Sequence, residues 1–157
     1  MPNIVLSRID ERLVHGQVGV QWAGFTDANL IIVANDDVAG NELQQSLMEM
    51  VIADGIGIRF WTLQKVIDTI HKAADRQKIL IVAKNPTDFL TLVEGGVPIS
   101  QLNVGNMHFI EGKNQIHKTV SVDDKDIQSF YALKNLGVTC TVQGVPTEPA
   151  TDIFTLL

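Results

Sequence analysis

The stretch Arg8-Ile-Asp-Glu-Arg-Leu-Val-His15-Gly-Gln-Val18 holds two arginines, two carboxylates and a histidine-glycine pair at the end of the chain's first apolar run. An unperturbed imidazole is mostly neutral near pH 7 and keeps a lone pair on one ring nitrogen, so His15 is a competent nucleophile toward a phosphoryl group. Arg8 and Arg12 are permanent cations whose forked donors suit phosphate oxygens, and Asp10 and Glu11 return the local formal charge to zero. An aspartate such as Asp10 can also orient a guanidinium or hold an imidazole in one tautomer. Phosphoryl transfer asks for little more than positioning and electrostatics. The same residues also describe a solvated charged turn with an exposed histidine, and by themselves they leave both readings open.

The elements that must position these groups follow from hydrophobic patterning. Apolar runs of strand length recur at Ile4–Leu6, Leu30–Ala34, Ile56–Trp61, Ile79–Ala83, Leu102–Val104, Thr119–Val122 and Val138–Val142. Most are continuous, as in strands buried on both faces. Segments of helical period, Asn41–Val51, Leu63–Ala74 and Asp126–Leu136, lie between many of them. Thr62 and Asp123 suit N-caps, Pro86 after Asn85 suits a first helical turn, and Gly95-Gly96 and Gly137 suit helix ends. The expected fold is a single α/β domain over residues 1–157, with a mainly parallel central sheet covered by helices on both faces.

Ligands of such sheets bind beyond the carboxyl ends of the strands. With Ile4–Leu6 as the first strand, Arg8–His15 is its exit loop and Gly16 opens a helix through Val18, Val20, Gln21 and Trp22. His15 then stands beside a helix start, whose free N–H groups and dipole favour an anion, with no Gly16 side chain in the way.

Bulk properties narrow the class. The 157 residues carry 18 acidic and 12 basic side chains for a net charge of −6, without a Lys/Arg block, which argues against nucleic-acid binding. Cys140 is the single cysteine and reads as a core thiol, so neither an internal disulfide nor a cysteine-based zinc site is expected. No apolar run is long enough to span a bilayer, and the first residues lack a signal-peptide pattern, so a cytoplasmic protein without membrane insertion is expected. No phosphate-binding Gly-x-x-x-x-Gly-Lys motif occurs, Gly55-Ile-Gly57 precedes a strand, and the four histidines lack metal-ligand spacing; no cofactor or metal is expected.

Arg-Ile-Asp-x-Arg-Leu-Val-His-Gly-Gln-Val near the amino terminus resembles the signature loop of the IIB components of the mannose/fructose/sorbose-type sugar phosphotransferase system. The resemblance runs along the whole chain, through Trp22, Asn35-Asp36, Asn103-Val-Gly-Asn-Met-His108 and Gln143-Gly-Val-Pro146. It implies a soluble α/β phosphoryl carrier that takes phosphate from a phosphohistidine of the IIA component. It then passes the group to a sugar entering through the membrane components IIC and IID, with which it associates peripherally. His15 matches the phosphorylated histidine, with transfer implied through Nδ1. Arg8, Asp10, Arg12, Gly16 and Gln17 fall in the loop around the phosphate, the arginines supplying charge and Asp10 orientation. Overall similarity leans toward N-acetylgalactosamine or galactosamine members, with sorbose, mannose or fructose types as alternatives.

Other residues carry weaker signals. His71 and His117 read as surface residues, whereas His108 follows a strand end on the side of His15 and is a candidate to line the site. Asn35 and Asp36 end the second strand at the same edge, either shaping the pocket or capping the next helix. Trp22 and Phe60-Trp61 read as core. Two rival functions remain: a histidine-dependent phosphatase, whose Arg-His-Gly signature has Val14 at the arginine position here, and a non-catalytic flavodoxin-like regulatory module.

Overall fold

A computed structural model describes residues 1–157. Strand β1 (Asn3–Asp10) is followed by a π-helical segment, Gln17–Trp22, that runs into α1 (Ala23–Thr26). Then come β2 (Leu30–Ala34), α2 (Glu42–Glu49), β3 (Gly57–Trp61), α3 (Leu63–Thr69), β4 (Lys78–Ala83), α4 (Pro86–Glu94) and β5 (Gln101–Asn106). A hairpin of β6 (Asn114–His117) and β7 (Val120–Val122) precedes α5 (Asp124–Asn135), β8 (Thr139–Val142) and β9 (Thr151–Asp152).

The main sheet has the order β3-β2-β4-β1-β5-β8-β9, with every pairing parallel except that of β8 with β9. Its central strands are continuous apolar runs because both faces are covered. Ile31, Val33, Leu80 and Val82 pack with Val18, Trp22 and Ala23 on one face. Ile32, Ile79 and Ile81 pack with Val66, Phe89 and Phe130 of the helices on the other. Each such buried aliphatic side chain stabilises the fold by about 1.5–3 kcal/mol. The expected α/β architecture with helices on both faces is therefore observed.

The helices start where short polar side chains can accept the first free N–H groups. Asn41, Thr62, Asn85 and Asp123 each do so, and Asp123 with Asp126 completes a reciprocal capping box. Cys140 lies in the core, where burial pushes its thiol up to about 12.

Three expectations need correction. First, β1 continues four residues beyond Leu6, to Asp10, so Arg8 and Asp10 lie in a strand and not in its exit loop. Ladder pairing of Arg8 with both Val82 and Asn103 carries the backbone through this polar stretch. Second, the Thr119–Val122 run forms β7 of a separate antiparallel hairpin, whose polar partner β6 shows no apolar alternation. Third, β9 is a two-residue edge strand, too short to leave a pattern.

Connectivity sets the location of the site. From β1 the chain moves past β4 to β2, whereas from β4 it crosses β1 to β5 and continues outward to β8. The direction reverses between β1 and β5, which makes their carboxyl ends the crevice where such sheets bind ligands.

Candidate functional site

The Asp10 carboxylate is the centre of the site. It is 0% exposed and faces five donors. Oδ1 accepts from the Arg12 backbone N–H at 3.0 Å and from Arg12 Nε at 3.2 Å. Oδ2 lies 3.3 Å from Arg8 Nη2, 3.4 Å from Arg12 Nη2 and 3.0 Å from His15 Nε2. Burial alone pushes a carboxyl up, but the hydrogen bonds from His15 and Arg12, with the charges of His15 and Arg8, reverse the sign. Asp10 therefore titrates below its ordinary range and is a fixed anion.

The turn that makes this possible is tight. Leu13 N–H donates to the Asp10 carbonyl at 2.9 Å, and Leu13 adopts φ 58°, a left-handed conformation that is costly for a leucine. Its side chain is 1% exposed and Val14 is 5% exposed, so burial of the pair holds the strained turn against the helix. The His15 carbonyl then accepts from Gly19 N–H at 2.8 Å, bringing the imidazole to the start of the π-helical segment.

His15 is thereby held at both ring nitrogens. Nε2 faces the Asp10 carboxylate, and Nδ1 receives the backbone N–H of Gln17 at 3.3 Å. Because a carboxylate can only accept, the neutral ring carries its proton on Nε2 and its lone pair on Nδ1. Gly16 has a helical φ of −51°, and a Cβ built there meets nothing within 4 Å. Glycine at 16 is therefore required neither by the backbone conformation nor by packing.

The two arginines differ from the expectation that both face an incoming anion. Arg8 is 0% exposed and spends all four Nη hydrogens inside the protein: on Asn103 Oδ1 at 2.6 Å, the Gln143 carbonyl at 3.1 Å, Asp10 and the Gly144 carbonyl at 3.0 Å. Its guanidinium also lies 4.9 Å from the centroid of the Trp22 ring, and a Cβ on Gly105 would collide with it. Burial lowers its pKa, opposed by the adjacent Asp10. Arg12, in contrast, has a side chain 39% exposed, and Nη2 reaches Gln17 Oε1 at 3.2 Å. Arg12 is thus the guanidinium that solvent and ligands can reach.

The sequence count of charges also changes in three dimensions. Glu11 turns toward Lys113, 4.0 Å away, and leaves two guanidiniums and one carboxylate around His15. Glu11 instead lines a polar cleft with Lys84, Asp88, Lys113 and His108, a cleft that includes none of Asp10, Arg12 and His15. His108 is exposed there. Asn35 Oδ1 accepts from Val38 N–H at 2.9 Å and Asp36 Oδ1 from Leu63 N–H at 2.9 Å, and both line a cleft with Lys84, Asn85 and Asp88 that includes none of Asp10, Arg12 and His15. His71 is exposed, and His117 Nδ1 takes the Thr119 N–H within its own hairpin. Two polar partners of Arg8 are residues to which sequence reasoning gave no role. Asn103 and Gln143 stand within segments of the matching pattern, but only the fold shows that they grip a buried arginine. No three His, Cys, Asp or Glu side chains are grouped to hold a metal ion, and no helix is long and apolar enough to cross a membrane.

Residues 4–157 match the family model described as the PTS system sorbose subfamily IIB component. The chain is 71% identical over 157 residues, covering both proteins fully, to the N-acetylgalactosamine-specific phosphotransferase enzyme IIB component 2 of Escherichia coli K12. It is 37% identical to the sorbose-specific EIIB component of Klebsiella pneumoniae, over 96% of this chain and 93% of that one. The crystal structure of an N-acetylgalactosamine IIB component from Streptococcus pyogenes superposes with a TM-score of 0.95 at 42% identity, covering 100% of this chain and 99% of that one. A site that holds one histidine against a buried aspartate, in a sheet of this order, thus accompanies similarity along the entire sequence, and the chain belongs to the sorbose subfamily of phosphotransferase-system IIB components.

Proposed function

We propose that His15 carries the phosphoryl group, accepting it on Nδ1 from a phosphohistidine of the IIA component and passing it to a sugar held by the membrane components IIC and IID. The observation that carries this reading is the 3.0 Å contact between Asp10 Oδ2 and His15 Nε2, which puts the lone pair on Nδ1. In the first step Nδ1 attacks phosphorus, a new N–P bond forms, and the N–P bond of the donor breaks with its electron pair returning to the donor ring. The phosphorylated His15 ring keeps the Nε2 proton and is cationic, so the fixed Asp10 anion stabilises it. Arg12, the exposed guanidinium, offsets charge on the moving phosphoryl group. In the second step a sugar hydroxyl oxygen takes the phosphorus, its proton is released, and the electron pair of the broken N–P bond returns to Nδ1.

The sugar proposed is an amino sugar, N-acetylgalactosamine or galactosamine, because the relatives at 71% and 48% identity are the two N-acetylgalactosamine-specific IIB components of E. coli. The chain then works in the cytoplasm and docks on the membrane components through the face around His15, which IIA must also use.

Incubation with phosphoenolpyruvate, the general phosphotransfer proteins and the cognate IIA should give a single acid-labile, base-stable phosphate at Nδ1 that is absent from His15→Ala. Unchanged labelling of that variant overturns the assignment, and rapid release of the phosphate into water favours a phosphatase. In membranes carrying IIC and IID, N-acetylgalactosamine should discharge the labelled protein faster than sorbose, mannose or fructose; an equal or reversed order removes the amino-sugar assignment.

A further inference from the structure

Arg8 depends on acceptors that other residues must aim. Its Nε–H has no hydrogen-bond partner, so the four bonds from its Nη atoms fix the head group. Two of the four acceptors are the consecutive carbonyls of Gln143 and Gly144, in the loop that leaves the carboxyl end of β8. A loop carbonyl turns with its peptide plane unless something holds the other side of that plane.

Glu148 holds it. The Gly144 N–H and the Gln143 carbonyl belong to one planar peptide group and point in opposite directions across it. Glu148 Oε1 accepts that N–H at 2.9 Å, while the carbonyl accepts from Arg8 Nη1 at 3.1 Å and from Asn103 Nδ2 at 3.3 Å. A bond from an N–H to a carboxylate is charge-assisted and polarises the amide, which makes its carbonyl a better acceptor for the guanidinium on the far side. The bond from the Gly144 N–H is also the largest of the effects on the Glu148 carboxyl, which lies below its ordinary range and is an anion at neutral pH. The turn itself fixes where this carboxylate stands: Gln143 Nε2 donates to the Glu148 carbonyl at 2.8 Å, and Glu148 N–H donates to the Val145 carbonyl at 3.1 Å. The second carbonyl, that of Gly144, accepts from Arg8 Nη2 and from Trp22 Nε1, each at 3.0 Å, and Trp22 lies on the helical segment that follows His15.

We propose that Glu148 is a positioning residue for phosphoryl transfer: it acts through the Gln143–Gly144 peptide on Arg8, through Arg8 on Asp10, and through Asp10 on the ring of His15. Its part in transfer rests on the carrier reading; its hold on the His15 ring does not. Arg8 Nη2, Arg12 Nη2 and His15 Nε2 all face Asp10 Oδ2, at 3.3, 3.4 and 3.0 Å. A guanidinium released from Gln143 turns further onto that oxygen and competes with the imidazole for it. With a weaker contact at Nε2 the neutral ring divides its proton between both nitrogens, and a ring protonated on Nδ1 has no lone pair there to attack phosphorus.

The test compares the full wild-type chain with Glu148→Ala, Glu148→Gln and Lys118→Ala. The Glu148 side chain is 18% exposed, so in Glu148→Ala water reaches the Gly144 N–H and the fold is kept. In that variant phosphorylation from the cognate IIA should slow by about fivefold at saturating donor, in the range of residues that act through a packed network, with the half-saturating donor concentration unchanged. In the unphosphorylated protein at about pH 8.5, above the ordinary imidazole range, the nitrogen-15 shifts of His15 Nδ1 and Nε2 should move toward each other. Glu148→Gln retains an acceptor oxygen for the Gly144 N–H and should recover most of both effects. Lys118 Nζ lies 3.5 Å from Glu148 Oε2 but its side chain is 72% exposed, and Lys118→Ala should leave both readouts at wild type, since such a pair contributes little. Unchanged ring shifts in Glu148→Ala overturn the proposal even where transfer slows, because Glu148 then acts on stability or docking alone. A higher half-saturating donor concentration at an unchanged maximal rate makes Glu148 a docking contact and overturns it as well, as does a Lys118→Ala variant that matches Glu148→Ala. Converging ring shifts in a protein that never accepts phosphate sustain the positioning of His15 while the carrier reading fails.

Discussion

Asp10 and Asp88 both stand at the carboxyl edge of the sheet, the first fully buried and the second partly exposed, yet their carboxyls move in opposite directions. For each the largest effect is burial, which opposes ionisation. At Asp10 the hydrogen bonds of His15 and Arg12 overcome it, and the carboxyl falls below its ordinary range. At Asp88, in the first turn of α4, Asp36 and Asp37 add like charge; Lys84 and Lys125 only partly offset it, and the carboxyl rises. Depth from solvent therefore does not distinguish a fixed anion from a titrating one. The supply of donors does, and the chain concentrates donors where the histidine is.

The largest effect is expected from removing the anion at the centre. Asp10→Ala leaves the Arg8 guanidinium buried without its counter-charge, a loss of about 3–5 kcal/mol in the urea unfolding free energy. Arg8→Met should cost a similar amount, because Asn103 and two carbonyls lose their donor. The double variant Arg8→Met/Asp10→Leu should recover part of the loss, since replacing a buried pair by apolar residues costs less than breaking it. Single variants within about 1 kcal/mol of wild type contradict the view of Asp10 and Arg8 as one unit.

Asp10→Asn is gentler and separates orientation from packing. It keeps the shape of the side chain but loses the charge opposite the Nε2 proton, so phosphoryl transfer through His15 should slow by about 10–100-fold, the usual cost of losing an orienting partner. The pH response has a defined sign. A carboxyl depressed in the folded state contributes stability that is present above its unfolded value, near about pH 4, and is lost as pH falls through the folded value. The stability gap between wild type and Asp10→Asn should therefore be widest near neutrality and narrow below about pH 4; a gap that widens on acidification refutes the depressed carboxyl.

Arg12→Ala tests the exposed cation. Transfer from IIA should slow by about tenfold, near 1.4 kcal/mol of barrier, while unfolding stability changes by less than about 1 kcal/mol because the side chain is partly solvated. Wild-type transfer in this variant would leave charge stabilisation to Arg8, which the burial of Arg8 makes a poor candidate.

The contrast between these two arginines also shows how far the sequence could be read. The runs Leu30–Ala34 and Ile79–Ala83 announce buried parallel strands because they are apolar throughout, and the caps at Thr62 and Asp123 are local chemistry. His15, Asp10 and Arg12 are legible as a cluster because they are close in sequence. Arg8 is legible only as a charge. Its polar neighbours end the apolar pattern at Leu6, so the pattern places the strand end before it, and nothing local signals that Asn103 and Gln143, 95 and 135 residues away, supply its acceptors. Glu11 is misleading for the same reason, since adjacency to Asp10 suggests a shared site and the turn after β1 sends it to Lys113 instead.

The smallest effect belongs to the other side of the comparison. Asp88 has a raised carboxyl, so between its unfolded and folded values the native state holds more protons than the unfolded state. Its stability contribution therefore falls as pH rises through that window. At neutral pH the ionised Asp88 opposes folding, although its place in the first turn of α4 favours negative charge through the helix dipole and its partial exposure screens the penalty. Asp88→Asn should raise the unfolding free energy at pH 7 by no more than about 1 kcal/mol, and the gain should vanish as pH approaches 4, where wild type also becomes neutral. Phosphorylation of His15 should stay at the wild-type rate, because Asp88 lines the cleft of Glu11 and His108 and touches none of the groups around Asp10. A destabilised Asp88→Asn at neutral pH would mean that the helix dipole and Lys84 outweigh burial, and the two aspartates would then share one environment instead of two.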